Sequence, residues 1–255
     1  MKPHLLSPIS LSLSLSLPIL PLSATAAKPP AFILSGDSTT AIQSTNGGGW
    51  GNGFISFLEN PAFGVNKGHN GATTKSFVSG GDWAVVTGLV SEYVAAGEYD
   101  VYVTIQFGHN DQKNTSGVTL VEYQGNLEGL AGDIWGLGGT PLLVTPLTRR
   151  TFTSNNTATD SLHDQRLSTI AAAEATNTTY LDLNQASLTY VDAIGEEAAH
   201  VYNLVPDDNT HLNDWGSVVF GRMLADLLLE KKPELGRWIR ANETMSELIA
   251  SGLPA

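Results

Sequence analysis

The chain has 255 residues and carries 13 Lys and Arg against 25 Asp and Glu, a formal net charge of −12 at pH 7. An acidic surface repels phosphate backbones, so we expect no nucleic-acid partner. Cysteine is absent, which excludes disulfides, thiolate zinc sites and cysteine nucleophiles.

The first 26 residues are typical of a secretory signal peptide. Lys2 precedes an apolar stretch, residues 5–22, and Ala24-Thr25-Ala26 offers small residues for cleavage. Prolines and alternating Leu-Ser pairs within the stretch argue against a membrane-spanning helix. We therefore expect an extracellular protein without a membrane anchor. A single domain is expected over residues 27–255, because the amino-acid composition does not change along this part of the chain.

Apolar runs and helical spacing alternate along the rest of the chain. Runs that end at polar or glycine turns predict strands at residues 31–34, 101–107, 141–145 and 180–183. Helical spacing is found at residues 85–96, 120–137, 160–175, 214–229 and 235–249. Strands that are apolar on both faces and alternate with helices predict a parallel sheet covered on both sides, a three-layer α/β/α sandwich. The last helical stretch is a C-terminal extension with no predicted chemistry.

Three short motifs stand where strands should give way to loops. Gly36-Asp37-Ser38 follows the first predicted strand, and Gly108-His109-Asn110-Asp111 follows the second. Asp208-Asn209-Thr210-His211 lies just before the helical stretch that begins at residue 214. Ligands of open parallel sheets bind beyond the carboxyl ends of the strands, so we expect the first two motifs to share a site.

These motifs contain the groups that ester hydrolysis needs. Ser38 is a candidate nucleophile, which requires a base, and His211 can act as that base while Asp208 orients its ring. The amide of Asn110 and the backbone N–H groups of Ser38 and Gly71 are candidate oxyanion donors. Each residue taken singly also fits a structural role: Ser38 a helix cap, His211 a surface histidine, Asn110 and Gly71 ordinary turns.

In their order, the three motifs and the segment 70–77 between them resemble the signature segments of the SGNH (GDSL-type) hydrolases. The glycine-rich stretch 46–54 with its Trp, and the His before Asn110, most resemble the rhamnogalacturonan acetylesterases within that family. The chain departs from the family at Gly71-Ala72-Thr73, where the usual pattern is Gly-Arg-Ser.

The resemblance implies a flavodoxin-like fold and a serine esterase that removes acetyl groups from plant cell-wall polysaccharide, most of all rhamnogalacturonan, without metal or cofactor. It assigns catalysis to Ser38, Asp208 and His211, and the oxyanion hole to Ser38, Gly71 and Asn110. We expect an acetylated polysaccharide substrate and a monomer. Four sequons make N-glycosylation candidates of Asn114, Asn155, Asn177 and Asn242.

Several alternatives stay open at this point. Acetylated xylan or short-chain esters would suit the same triad, as in an acetylxylan esterase or a lipase. A carbohydrate-binding module is the non-enzymatic alternative, although it would need an aromatic platform on a β-sandwich. A metal-dependent phosphoesterase is a further alternative. Its two-metal site would need more closely spaced His and Asp ligands than these motifs supply. The glycine-rich loop is interpreted as a mobile rim in which Trp50 either stacks on a sugar or is buried.

Overall fold

The computed structural model describes residue 1 and residues 27–255. Apart from Met1, the predicted signal peptide lies outside the described residues, as does its cleavage site, and both stay predictions. In the part of the chain that is described, no helix combines the length and the apolar character that crossing a membrane requires.

A parallel sheet forms the middle layer. Its strands in the described residues are β1 Pro30–Gly36, β2 Phe63–Asn66, β3 Asp100–Gln106, β4 Thr140–Val144 and β5 Thr179–Leu181. They lie in the order β2-β1-β3-β4-β5 with every neighbouring pair parallel. The β1–β3 pair runs in register from Pro30 opposite Asp100 to Gly36 opposite Gln106. The two central strands therefore end level with each other, directly before the first two motifs.

Helices cover both faces of the sheet. They are α1 Gly51–Ile55, α2 Thr74–Ser79, α3 Asp82–Ala96, α4 Leu120–Gly136, α5 His163–Ala175, α6 Leu183–His200, α7 Asp214–Lys231 and α8 Glu243–Ala250. Helices α1, α6, α7 and α8 pack with Phe32 and Leu34 of β1, whereas α2 to α5 pack with Ile33 on the other face. Successive side chains of a strand point to opposite faces, so both faces of β1 are buried. The predicted α/β/α sandwich is confirmed.

Some elements differ from the sequence prediction. The pattern misses the short edge strand β2 and all of α6. The predicted strand 180–183 ends at Leu181, because the Asp182 side chain accepts from the backbone N–H of Gln185 and caps α6. The single helix expected over residues 235–249 is wrong. A 3-10 helix at Pro233–Trp238 is separated from α8 by Ile239, which bridges to Leu58.

Candidate active site

The three motifs line one cleft at the carboxyl edge of the sheet. The turn after β1 carries Ser38, the segment after β3 carries His109 and Asn110, and the loop before α7 carries His211. The cleft has a volume of about 470 Å³ and is open to solvent on one side. The predicted meeting of the motifs is therefore seen in the structure.

Ser38, His211 and Asp208 form an unbroken chain of hydrogen bonds. The Ser38 Oγ lies 2.8 Å from Nε2 of His211, although 173 residues separate them in sequence. The other ring nitrogen, Nδ1, lies 2.7 Å from Oδ2 of Asp208. With Nδ1 protonated and facing the carboxylate, Nε2 is left free to accept the serine proton.

Asp208 is fixed by its own loop. Its Oδ1 accepts from the backbone N–H groups of Thr210 at 3.0 Å and His211 at 2.9 Å. Burial disfavours its charge, but these bonds and the one to the imidazole outweigh burial and hold the pKa of Asp208 below its ordinary value. The adjacent Asp207 is exposed. The carboxylate is therefore ionised at neutral pH and stays turned toward the histidine.

Arg150, which the sequence pattern does not single out, holds this loop from behind. It is fully buried, and its Nη2 donates to the His211 carbonyl at 2.6 Å while its Nε donates to Oδ1 of Asn203 at 2.6 Å. The Arg150 backbone N–H also donates to the carbonyl of Asn209 at 2.8 Å. Burial lowers the pKa of Arg150 to about 9, with the charge of Asp208 opposing the shift. The guanidinium thus ties the segment after β4 to the loop that carries the histidine.

The proposed oxyanion donors line the same cleft as the serine. The side chain of Asn110 is buried, and its Nδ2 donates one hydrogen to the carbonyl of Ala72 at 3.0 Å. Its second amide hydrogen has no acceptor in the described residues. Gly71 lines the same cleft and adopts a φ of +80°, which favours glycine. Within residues 27–255, the backbone N–H groups of Ser38 and Gly71 donate to no protein acceptor.

The glycine-rich loop is a packed wall, so its interpretation as a mobile rim is wrong. Trp50 is completely buried, and its Nε1 donates to Oε1 of Gln106 at 2.6 Å, which excludes stacking on a sugar. Gly53 at the start of α1 packs against the backbone of α7, and a Cβ there would overlap the carbonyl of Ser217. The Ser217 hydroxyl donates to the Gly49 carbonyl at 2.6 Å. The loop therefore joins the serine turn to the helix that follows His211.

His109 forms part of the cleft wall. It is buried, and burial lowers its pKa even though the Asp37 carboxylate lies 3.6 Å from Nδ1. Neither of its ring nitrogens has a hydrogen-bond partner in the described residues. The imidazole is therefore neutral at neutral pH and presents no charge to the cleft.

Two cations that the sequence reasoning passed over also line the cleft. Arg149 is half-buried and Lys113 is exposed. The Nζ of Lys113 donates to Oδ1 of Asn110 at 2.6 Å, which orients the amide of that side chain. No Asp or Glu lines the described cleft. Elsewhere in residues 27–255, no group of three or more His, Asp or Glu is arranged to hold a metal ion.

None of the four sequon asparagines is among the residues that line the described cleft. Asn114, Asn155 and Asn177 are exposed, and Asn242 is half-buried, with its side chain accepting from the Met245 backbone N–H at the start of α8. Glycosylation of these positions stays a prediction.

The sheet carries at its carboxyl edge a hydrogen-bonded serine, histidine and aspartate, in a cleft whose lining includes residues with N–H groups that have no protein acceptor. Residues 34–218 match the model of the GDSL-like lipase/acylhydrolase family. Because this match spans most of the chain, the chain belongs to that family, a class of carboxylic ester hydrolases. The resemblance drawn from the motifs is confirmed.

Curated relatives from Bacillus subtilis strain 168 are similar over most of their length. The chain is 27% identical over 201 residues to the probable rhamnogalacturonan acetylesterase YesY, a match that covers 75% of this chain and 89% of the relative. It is also 27% identical over 214 residues to rhamnogalacturonan acetylesterase RhgT, a match that covers 78% of this chain and 89% of RhgT.

Solved structures share the fold. Protein YxiM of Bacillus subtilis superposes with a TM-score of 0.69 at 22% identity over 81% of this chain, which spans 58% of the YxiM chain. The acetylxylan esterase Axe2 of Geobacillus stearothermophilus superposes with a TM-score of 0.56 at 21% identity, covering 85% of this chain and 99% of Axe2. At these identities, the likeness concerns the fold.

Proposed function

We propose that the protein is a secreted serine acetylesterase that removes acetyl groups from plant cell-wall polysaccharide, with acetylated rhamnogalacturonan as its substrate. The observation that carries the proposal is the hydrogen-bonded chain from Ser38 through His211 to Asp208, with the unpaired N–H groups of Ser38 and Gly71 beside it. The names of YesY and RhgT support this substrate over other acetyl esters.

The reaction follows from the geometry of the cleft. Oγ of Ser38 attacks the acetyl carbonyl carbon while Nε2 of His211 takes the hydroxyl proton. The carbonyl oxygen becomes negative, and the N–H groups of Ser38 and Gly71 and the free amide hydrogen of Asn110 stabilise it. Asp208 stabilises the imidazolium that forms.

The tetrahedral intermediate formed by this attack then collapses, and the enzyme is regenerated in a second step. The sugar hydroxyl leaves as the carbon–oxygen bond of the ester breaks, and His211 donates its proton to that oxygen. An acetyl group remains on Ser38. Water, deprotonated by His211, attacks this acetyl-enzyme through the same oxyanion geometry, and acetate is released while the proton returns to Ser38.

The open shape of the cleft suits a hydrated polymer. Its walls carry polar side chains such as Thr45, Asn46 and Asn70, which lie close to Ser38. A lipase would present apolar surface to an acyl chain. A short acetyl group and a long polar leaving group fit the polar, solvent-open walls better, because the polymer can extend beyond the cleft without being desolvated.

The deciding experiment measures acetate release from acetylated rhamnogalacturonan, acetylated xylan and an aryl acetate. We expect activity without added metal, retention of activity in a chelator, and a kcat lowered at least about 10³-fold in Ser38→Ala. Ser91→Ala, an exposed serine on α3 outside the cleft, is the matched control. Full activity of a folded Ser38→Ala protein, or loss of wild-type activity to the chelator, would contradict the proposal.

Secretion is a separate part of the proposal. It rests on the composition of residues 1–26. Expression of the full chain should yield a protein in the medium whose sequence begins near residue 27, and deletion of residues 2–26 should retain it in the cell. Sedimentation of the secreted protein tests the expected monomer.

A further inference from the structure

The charge inside the cleft is opposite to the charge of the whole chain. The sequence has 25 Asp and Glu against 13 Lys and Arg. Around Ser38 and His211, however, the charged side chains that line the described cleft are the cations Arg149 and Lys113, with no carboxylate among them. The carboxylates of Asp208 and Asp37 lie against His211 and His109 and are not part of this lining, so the charged groups that a ligand in the cleft can contact are cations, which favours an anionic ligand.

Arg149 is held in place without being neutralised. Its Nη1 donates to the Ser161 hydroxyl at 3.1 Å. With the Gln112 amide nitrogen facing the Ser161 carbonyl, the amide oxygen accepts from Nη1 at 2.7 Å and from Nη2 at 2.9 Å. Within residues 27–255, no carboxylate lies within 4.0 Å of the guanidinium. Neutral acceptors therefore fix the plane of the guanidinium, and no ion pair at contact distance neutralises its charge.

A half-buried guanidinium without an ion-pair partner costs free energy that a bound anion recovers. Burial disfavours the charged form and lowers the pKa of Arg149, while the charge of Asp37 opposes the shift. Gln112 takes one hydrogen each from Nη1 and Nη2 of Arg149, so the edge formed by Nε and the second Nη2 hydrogen is the fork that can donate two parallel hydrogen bonds to a carboxylate. The neighbouring Arg150 differs, because that side chain is fully buried, donates through Nε and Nη2 to protein acceptors and does not line the cleft.

We propose that Arg149 binds a uronate carboxylate of the polysaccharide next to the acetyl ester, and that Lys113 at the rim adds to the attraction. The substrate is then an anionic acetylated polysaccharide, and Arg149 determines this specificity. The inference rests on the proposed acetylesterase function. Because Arg149 and Ser38 line the same cleft, the carboxylate belongs to the acetylated sugar or to its immediate neighbour.

The experiment compares wild type with Arg149→Gln on three substrates. They are acetylated rhamnogalacturonan with free carboxylates, the same polymer with its carboxyl groups methyl-esterified, and a neutral aryl acetate. We expect Arg149→Gln to lower kcat/KM on the free-carboxylate polymer by about 10- to 100-fold, mostly through KM, because a charge-assisted bond is lost. Activity on the aryl acetate should stay within about threefold, and on the methyl-esterified polymer the two proteins should be equal.

Controls separate this specificity from structure and from net charge. Arg149→Lys keeps the charge without the fork and should retain part of the preference. Lys28→Gln removes an exposed charge just before β1, at the amino edge of the sheet, and should leave all three activities unchanged. The difference between wild type and Arg149→Gln should shrink as salt is raised. Unfolding midpoints show that each variant is folded.

Two outcomes would overturn the assignment: an equal loss on the aryl acetate and on the polymer, or no loss on either. Binding of the deacetylated acidic polymer to Ser38→Ala, with and without Arg149→Gln, gives a readout that needs no catalysis. If wild type cleaves none of the three substrates, the proposed function fails. The binding comparison, measured by titration calorimetry, still decides the role of Arg149. Weaker binding of the polymer to the double variant than to Ser38→Ala supports that role, and equal binding refutes it.

Discussion

Replacement of Asp208 by Asn perturbs the proposed catalytic chain at a single atom. Asp208 accepts three hydrogen bonds, two at Oδ1 from backbone N–H groups and one at Oδ2 from the imidazole of His211. In Asp208→Asn, the amide oxygen can keep the two backbone bonds only if its NH₂ group faces Nδ1. The imidazole must then carry its proton on Nε2, where it cannot take the proton of Ser38.

The expected loss follows from this change of tautomer. If the backbone bonds hold the amide in that orientation, kcat falls by about 10³–10⁴, with 10⁴ the reference value for a serine protease, equivalent to about 4–6 kcal/mol in the activation barrier. Rotation of the amide would restore the tautomer but would break both backbone bonds, at a net cost of about 0.5–1.5 kcal/mol each. Initial rates on an aryl acetate over a range of concentrations separate kcat from KM.

Asp207 is the matched control. It is adjacent in sequence but exposed, and its side chain makes no hydrogen bond in the described residues. Asp207→Asn should therefore change kcat by only a few-fold. A larger defect at Asp207 than at Asp208, or more than about a tenth of wild-type kcat in a folded Asp208→Asn protein, would refute the reasoning.

Three further predictions concern the same site. Asn110→Ala should lower kcat on an aryl acetate by about 10²–10³ with a smaller change in KM; an unchanged kcat would return Asn110 to a turn-capping role. Arg150→Met leaves the buried Oδ1 of Asn203 unpaired, whereas the His211 carbonyl keeps its bond from the Leu204 N–H, so urea unfolding should show a loss of about 1–3 kcal/mol at an unchanged m-value, and a midpoint equal to wild type would refute this. Because the folded-state pKa of Asp208 lies below its ordinary value, its contribution to stability is present above about pH 4 and is lost as the pH falls through the folded-state pKa. Asp208→Asn should flatten that part of the pH–stability profile, and an unaltered acid slope would count against it.

The central strands and the three motifs could be predicted because their signals are local. Short, mostly apolar runs mark β1 and β3, and Ser38 and Asn110 stand a few residues after them. The edge strand β2 is only four residues long and half-buried, so it has no comparable run. In α6, Asn, Ser and Thr interrupt the apolar stripe, and the helix is stabilised by packing against α7 and the sheet.

The support of the site could not be read from the sequence, because its partners are distant along the chain. Arg150 meets Asn203 and the His211 carbonyl more than 50 residues later. The burial of Trp50 depends on Gln106 at the end of another strand. A charged or aromatic residue in a loop is usually solvated. Only the fold reveals that Arg150 anchors the loop of the base and that Trp50 belongs to the wall beside the nucleophile.

The contact between Gly53 and α7 sets what natural variation or protein engineering can change. It joins the turn that carries Ser38 to the helix that follows His211 by a close approach of backbone, in which the Ser217 hydroxyl accepts from the Gly53 N–H at 3.1 Å and donates to the Gly49 carbonyl at 2.6 Å. Exchange of surrounding side chains other than Ser217 therefore cannot easily alter the separation of nucleophile and base. The outer segments that present Lys113 and Arg149 are free of this constraint, so preference for a new ester can be acquired there while the reacting atoms keep their spacing.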